Sequence, residues 1–306
     1  MRPAGRSRSA APRPAEAPPP SRPFIKWAGG KTQLLPQLDP LYPPASRVSR
    51  YIEPFVGSGA VFFHVRATLA PTAVVLADGN QGLIEAYTVV RDDVEALIRA
   101  LRRHKARHSA DHYYRVRAQS PGRLTRVARA ARLIYLNKTC FNGLYRVNSR
   151  GEFNVPMGRY EDPPILDAEN LRVASGALRG VELRAGHFRE TLGYARRGDF
   201  IYFDPPYQPL SRTSFFTAYT DGAFKEPDQA ELAAVYGELD ARGCLVMLSN
   251  SDAPLIRELY RAYDIRPVRA RRSINSRADR RGRIGEVVVI NYRPGSPSLP
   301  LDGDEG

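Results

Sequence analysis

The run Gly198-Asp199-Phe200-Ile201-Tyr202-Phe203-Asp204-Pro205-Pro206-Tyr207 constrains the fold more than any other stretch of the chain. Phe200 to Phe203 are apolar and aromatic, as in a buried strand, and two successive prolines have no N–H with which to extend a ladder. The strand therefore has to stop at Asp204. In an open α/β sheet, ligands bind at the carboxyl ends of the strands. Asp204 offers a carboxylate acceptor there and the carbonyl of Pro205 a second, and together they can grip an NH2 group. An exocyclic amine on a nucleobase is a poor nucleophile because its lone pair is delocalised into the ring. Acceptors that hold both hydrogens favour a pyramidal, reactive nitrogen, and Tyr207 would stack on the ring. Standing alone, these four residues would be an ordinary Pro-Pro turn, so the rest of the chain has to decide.

A second constraint lies upstream. Tyr51-Ile52-Glu53-Pro54-Phe55-Val56-Gly57-Ser58-Gly59-Ala60-Val61-Phe62-Phe63 reads as a strand, a glycine turn and the start of a helix, where backbone can approach a ligand closely. Next, Ala73 to Asp78 reads as a strand ending in an acid placed to receive ribose hydroxyls. These elements describe a nucleoside-bearing cofactor. The dinucleotide fingerprint is incomplete, because Phe62 stands where the last glycine belongs, which argues against NAD. Gly30-Lys31-Thr32 resembles the end of a P-loop, but Ile25 occupies the first glycine position and Trp27 sits inside the would-be cradle, so that reading fails.

The 306 residues, 42% of them hydrophobic, suffice for one large or two smaller globular domains. A formal charge of +14 and a pI near 10.0 suggest an anionic polymer such as nucleic acid. Cys140 and Cys244 make neither a disulfide framework nor a zinc motif, which fits a reducing, cytoplasmic setting. The chain has no apolar run long enough to span a membrane and no secretory signal, so no membrane partner is expected. Residues 1–22, rich in Arg, Ala, Ser and Pro, read as a disordered basic tail, and the polar residues 294–306 as a flexible one.

From 81 to 166 the strand–helix alternation lapses into a mainly helical insertion. Val94, Leu97, Ile98 and Leu101 form one apolar stripe, and Leu124, Val127, Ala128 and Ala131 another. Each lies opposite a basic face that includes Arg99, Arg102, Arg126 and Arg129, for which a solvated helix face is the plain reading. His104, His108 and His112 are spaced like metal ligands, but Ser109-Ala110-Asp111 reads as a helix break and cap; they are expected at the surface with no metal. Residues 141–155 read as turns and a short hairpin of Asn, Arg and aromatics, side chains that read and stack on bases. Strands are expected at 181–186, 199–203, 244–249 and 286–292, with helices at 229–242 and 255–262. Arg266 to Arg283 reads as a loop dense enough in arginine to clamp phosphates, Arg271, Arg272 and Arg277 among them.

Three strand ends thus converge: the Gly57–Gly59 turn, Asp78, and Asp204 to Tyr207. S-adenosylmethionine unites a nucleoside cofactor with amine chemistry, because its sulfonium is already activated and the protein need only align the amine. No metal is required. Methylation at cytosine C5 would need a Pro-Cys nucleophile, and neither Thr139-Cys140 nor Gly243-Cys244 supplies one.

These residues resemble the Dam-type, D12-class DNA N6-adenine methyltransferases from about Phe24 to Tyr292. The resemblance rests on Phe24-x-Lys26-Trp27-Ala28-Gly29-Gly30-Lys31, Glu53-Pro54-Phe55-Val56-Gly57-x-Gly59, Asn142-Gly143-Leu144 with Arg150-Gly151-Glu152-Phe153-Asn154-Val155-Pro156, and Asp204-Pro205-Pro206-Tyr207. It implies a Rossmann-like class I S-adenosylmethionine-dependent methyltransferase sheet, residues 23–80 and 167–293, carrying a DNA target-recognition domain at 81–166. It also implies that Trp27, Lys31, Asp78 and Asp204 contact S-adenosylmethionine, with Phe55 and Gly57 lining the site. Asp204, Pro205 and Tyr207, in the motif that Pro206 completes, would hold a flipped adenine of double-stranded DNA. Lys26, Asn142, Leu144 and Arg146 would lie near the bases, and the Asn142 to Arg146 segment makes GATC the first expectation for the target. The chain departs from the family at Gly79, where a bulky apolar residue is usual, and at Phe141, where tyrosine is common. The rival readings are an N4-cytosine enzyme, a catalytically silent DNA-binding relative, and a glutamine or RNA methyltransferase. Asp rather than Asn before Pro-Pro-Tyr and the basic insertion speak against the last. Nothing in the sequence speaks for or against a restriction endonuclease partner.

Overall fold

The computed structural model describes residues 21–209, 224–269 and 285–295. Its centre is a seven-stranded sheet formed by β1 (Arg50–Glu53), β2 (Val74–Asp78), β3 (Glu182–Ala185), β4 (Asp199–Phe203), β5 (Leu245–Ser251), β6 (Asp264–Arg269) and β7 (Gly285–Ile290), in the order β3-β2-β1-β4-β5-β7-β6. β7 is antiparallel to both its neighbours, and the other strands run one way. The strand order reverses between β1 and β4, so the crevice beyond their carboxyl ends is the switch point at which such sheets bind ligands. This is the arrangement of a class I methyltransferase.

Buried aliphatic and aromatic side chains explain the central strands: every residue of β4 is buried, and the strand ends at Phe203, one residue before Asp204. β6 was not expected. From Arg266 on its sequence reads as loop, but it is an edge strand, where Pro267 needs no partner for an N–H and charged side chains face solvent. Arg266 and Arg269 therefore belong to the sheet rather than to an arginine-rich loop, and Arg266 pairs with Asp264. The residues 271–283 of that loop lie outside the described residues.

The helices are α1 (Leu35–Leu38), α2 (Ala60–Thr68), α3 (Gln81–Asp92), α4 (Val94–Ala106), α5 (Ala110–Ala118), α6 (Arg126–Thr139), α7 (Ala168–Ala177), α8 (Thr191–Tyr194), α9 (Glu226–Ala241) and α10 (Pro254–Leu259). Side-chain caps begin α3, α5 and α6, where Asn80, Ser109 and Thr125 accept hydrogen bonds from the first turns. Apolar residues of α3 to α7 form one continuous cluster with one face of the sheet, while α9 and α10 cover the other. The helical insertion is thus built onto the sheet's own core. Arg126 and Arg129 are not simply solvated: Arg126 pairs with Asp93 at 2.6 Å and Arg129 with Glu85.

Two expectations at the edges change. Arg22, placed in the tail by its composition, exchanges backbone hydrogen bonds with the Asn170 side chain and pairs with Asp167. Gly295 donates to the Tyr42 carbonyl. The three histidines are not independent surface residues. His104 and His112 approach to 3.0 Å, His108 meets the Tyr135 hydroxyl at 2.9 Å, and the His104 ring stacks on Tyr135. Burial, then the neighbouring His112, depresses His104 to about 4. Among the described residues no group of three or more His, Cys, Asp or Glu is arranged to hold a metal, and no helix is long and apolar enough to cross a membrane.

Candidate active site

A cleft of about 970 Å³ opens at the switch point, lined by residues from the segment 27–34, from the loop after β1, and by Asp78, Asp204 to Tyr207 and Glu286. Of the sequence-predicted cofactor and catalytic residues, Trp27, Lys31, Phe55, Gly57, Asp78, Asp204, Pro205, Pro206 and Tyr207 all line it.

Lys31 organises the floor. Its side chain is 5% exposed, and Nζ donates to the Gly29 carbonyl at 2.6 Å and lies 2.7 Å from Asp204 Oδ1. Oδ1 is buried, and that ion pair is its polar contact among the described residues. The same ammonium sits 4.7 Å from the Tyr207 ring centroid, a cation–π contact that occupies one face of the ring. Burial raises the Asp204 pKa above the ordinary carboxylate value; Lys31 opposes that rise and Glu286 adds to it.

The segment after β4 is held rigidly from below. The Pro206 carbonyl accepts from Gln229, and Gln208 donates its backbone N–H to Asn250, whose side-chain amide in turn donates to Gln229. No described residue donates to the Pro205 carbonyl, which leaves that oxygen available beside Asp204. Tyr207 is oriented by its hydroxyl, which donates to Glu286 Oε2 at 3.0 Å. Burial, followed by the charge of Asp204, pushes the Tyr207 phenol well up, so it remains a donor.

The opposite wall is the glycine turn. Gly57 adopts φ +48°, and a Cβ there would come within 3.0 Å of Trp27 Cδ1, so the indole rests directly on the backbone. Gly57 N–H donates to Asp78 Oδ2 at 3.1 Å and Asn80 N–H to Oδ1 at 2.9 Å, which aims the carboxylate along the turn. Burial raises the Asp78 pKa, and these two bonds oppose it. Phe55 packs its ring against Phe188 and Phe203.

Sequence reasoning missed two acids. Glu53, quoted only within its motif, is 2% exposed, accepts from Tyr51 at 2.7 Å, and has its pKa raised chiefly by burial. Glu286 stood only as the start of a strand. Because β7 runs antiparallel, its first residues lie at the carboxyl end of the parallel strands, and that reversal is the signal that would have revealed Glu286. The cleft is therefore lined by four carboxylates, Glu53, Asp78, Asp204 and Glu286, around one lysine.

Lys26, Asn142, Leu144 and Arg146 are all solvent-exposed. Asn142 adopts φ +54°, and Leu144 is 42% exposed beside the 51% exposed Phe141. Arg146 donates to Asn154 across the hairpin that the Val147–Phe153 bridge closes. The turn meets the segment carrying Lys26 through Asn137, whose amide donates to the carbonyls of Lys26 and Gly143 while its oxygen accepts the Lys26 N–H. Arg271, Arg272 and Arg277 lie outside the described residues.

The family described as D12 class N6 adenine-specific DNA methyltransferase matches residues 27–274. The type II methyltransferase M1.LlaDCHI of Lactococcus lactis subsp. cremoris is 43% identical, the match covering 89% of this chain and 95% of that protein. M.MjaIII of Methanocaldococcus jannaschii is 42% identical over 89% of this chain and 99% of its own. The DNA adenine methylase of Escherichia coli K12 is 35% identical over 90% and 96%. Sheet order, cleft and likeness to these relatives agree, and the chain belongs to the D12 class of N6 adenine-specific DNA methyltransferases.

Proposed function

We propose that this adenine-N6 DNA methyltransferase binds S-adenosylmethionine in the cleft between Trp27 and Asp204, and that it acts on adenine flipped out of duplex DNA, with GATC as the target. The observation that carries this reading is the Asp204 carboxylate: buried and ion-paired to Lys31, it stands beside a Pro205 carbonyl to which no described residue donates, at the end of the strand that borders the switch-point crevice. The four acidic side chains of the cleft suit a ligand that carries a sulfonium and an ammonium. The bare backbone of Gly57 leaves room for it, and Asp78 at the end of β2 would receive ribose hydroxyls. When bound, S-adenosylmethionine would supply a methyl group on an already activated sulfur.

In this reading the chain's residues orient and polarise. Asp204 and the Pro205 carbonyl accept the two N6 hydrogens, concentrating the lone pair on nitrogen. Lys31 favours the ionised form of Asp204 and blocks one face of Tyr207, leaving the other for the base. Glu286 fixes the tilt of that ring through its hydroxyl. Flipping the adenine costs a few kcal/mol of stacking and pairing, which the Tyr207 stack and the amine bonds offset. Lys26, Asn142, Leu144 and Arg146 contact the bases, and the Arg-rich segments, including Arg271, Arg272 and Arg277, contact phosphates, making affinity steeply salt-dependent. Residues 81–166 act as the target-recognition domain on a catalytic domain of 23–80 and 167–293. A cytoplasmic location, where duplex DNA and reduced thiols coexist, fits the two free, buried cysteines.

The test is transfer of labelled methyl onto duplexes varied around GATC, with nucleoside analysis of the product. N6-methyladenine confined to GATC duplexes is expected. N4-methylcytosine, or equal labelling of all duplexes, would overturn the reading.

A further inference from the structure

One contact joins the two functional surfaces. Tyr145, in the turn that carries Asn142, Leu144 and Arg146, stacks on Trp27 with ring centroids 5.2 Å apart and planes inclined by 26°. Tyr145 also packs edge-on against Phe153, across the hairpin. Trp27 lines the cleft, and its indole edge lies against Gly57, whose N–H in turn aims Asp78. Beneath the stack the two segments are latched. Asn137 is fully buried and bonds Lys26 through both backbone groups and Gly143 through its carbonyl. Gly143 has φ +65°, and any Cβ there would strike the Lys26 side chain at 2.7 Å. The recognition turn and the cleft wall thus form a continuous series of contacts, Phe153 to Tyr145 to Trp27 to Gly57 to Asp78.

We infer that Tyr145 is a positioning residue: from the recognition turn it holds Trp27 against the glycine turn, so that DNA bound at the turn and donor bound in the cleft each raise the affinity of the other. The physical basis is shared ordering. Tyr145 is 37% exposed and is held by two aromatic rings, those of Trp27 and Phe153. DNA that immobilises the turn immobilises the Tyr145 ring, and with it the indole that the donor would otherwise have to fix; linkage makes the effect reciprocal. The inference rests on the reading of the cleft as a donor site.

Trp27 is the chain's one tryptophan, so intrinsic indole fluorescence reports on the surroundings of this residue. The test titrates S-adenosylhomocysteine into full-length wild type, Tyr145→Phe and Tyr145→Ala. Each is measured with and without a duplex that wild type methylates, and the KM for the donor and kcat are measured alongside. In wild type the duplex is expected to tighten S-adenosylhomocysteine by at least about fivefold. Tyr145→Phe, which keeps the ring, retains that factor. Tyr145→Ala brings it close to one and raises the donor KM in the presence of DNA, with kcat at saturation little changed. A coupling factor in Tyr145→Ala equal to that of wild type overturns the inference, as does wild type that binds the probe with no coupling. Wild type that binds no S-adenosylhomocysteine refutes the donor-site reading itself, and the inference with it.

Discussion

Replacing Lys31 with methionine removes the ammonium and keeps most of the apolar stem, and its effect follows from two exposures. The lysine is 5% exposed and its partner Asp204 17%. Deleting one partner of a buried ion pair costs about 3–5 kcal/mol, and the residual exposure of Asp204 brings this pair to about 2–3 kcal/mol. Without the ammonium, the Asp204 pKa, already raised by burial, rises further. A protonated Asp204 loses acceptor capacity for the amine. The acid limb of kcat, measured by single-turnover methyl transfer at saturating donor and DNA, should therefore move to higher pH. Stability moves in a defined direction too. A carboxyl whose native pKa exceeds its unfolded value contributes stability that is full below the unfolded pKa and is lost as pH rises through the native one. Lys31→Met should accordingly lose about 2–3 kcal/mol in urea unfolding at neutral pH and recover it in acid. An acid limb coincident with that of wild type would refute the assignment of Lys31 as the group that keeps Asp204 ionised.

Three further outcomes follow. Glu286→Ala leaves the buried Tyr207 hydroxyl without its acceptor, a loss of about 1–2 kcal/mol that should lower single-turnover kcat by roughly tenfold; Glu286→Gln, which keeps an acceptor oxygen, should retain most of the rate. Gly57→Ala places a methyl 3.0 Å from Trp27 Cδ1 on a backbone at φ +48°, so the apparent affinity for S-adenosylhomocysteine, followed by Trp27 fluorescence, should weaken by about tenfold or more. Because burial holds His104 near 4, its contribution to stability is present above the ordinary histidine value and lost as pH falls. The melting temperature of wild type should drop more steeply below about pH 6 than that of His104→Gln.

The parts of the site that were legible in the sequence are those whose chemistry is local. Two prolines end a strand wherever they occur, so Asp204 could be placed at a strand terminus without knowledge of the fold; a glycine turn after an apolar run located Gly57, and an apolar run ending in an acid located Asp78. The remainder depends on elements meeting across the chain. Glu286 enters the cleft only because β7 is inserted backwards between β5 and β6, a matter of sheet order. β6 was hidden by its own composition, since an edge strand tolerates Pro267 and needs little apolar surface. The capping signal of Ser109 correctly separated His112 from His104 into two helices, but only the packing of α4 and α5 against Tyr135 brings them back together. The stack of Tyr145 on Trp27 joins residues more than a hundred positions apart and leaves no periodic trace.

The role of the Asp204 carboxylate is decided by single-turnover methylation by Asp204→Ala on a GATC duplex at saturating donor, with N6-methyladenine quantified and duplex affinity measured in parallel. A fall of about a hundred- to a thousandfold in rate is expected, the scale of losing a preorganised polar group at the reacting centre, with a much smaller loss of duplex affinity from the missing amine bond; Asp204→Asn, which keeps one acceptor oxygen, should lose less. A variant without the carboxylate that still forms N6-methyladenine at near the wild-type rate would contradict it.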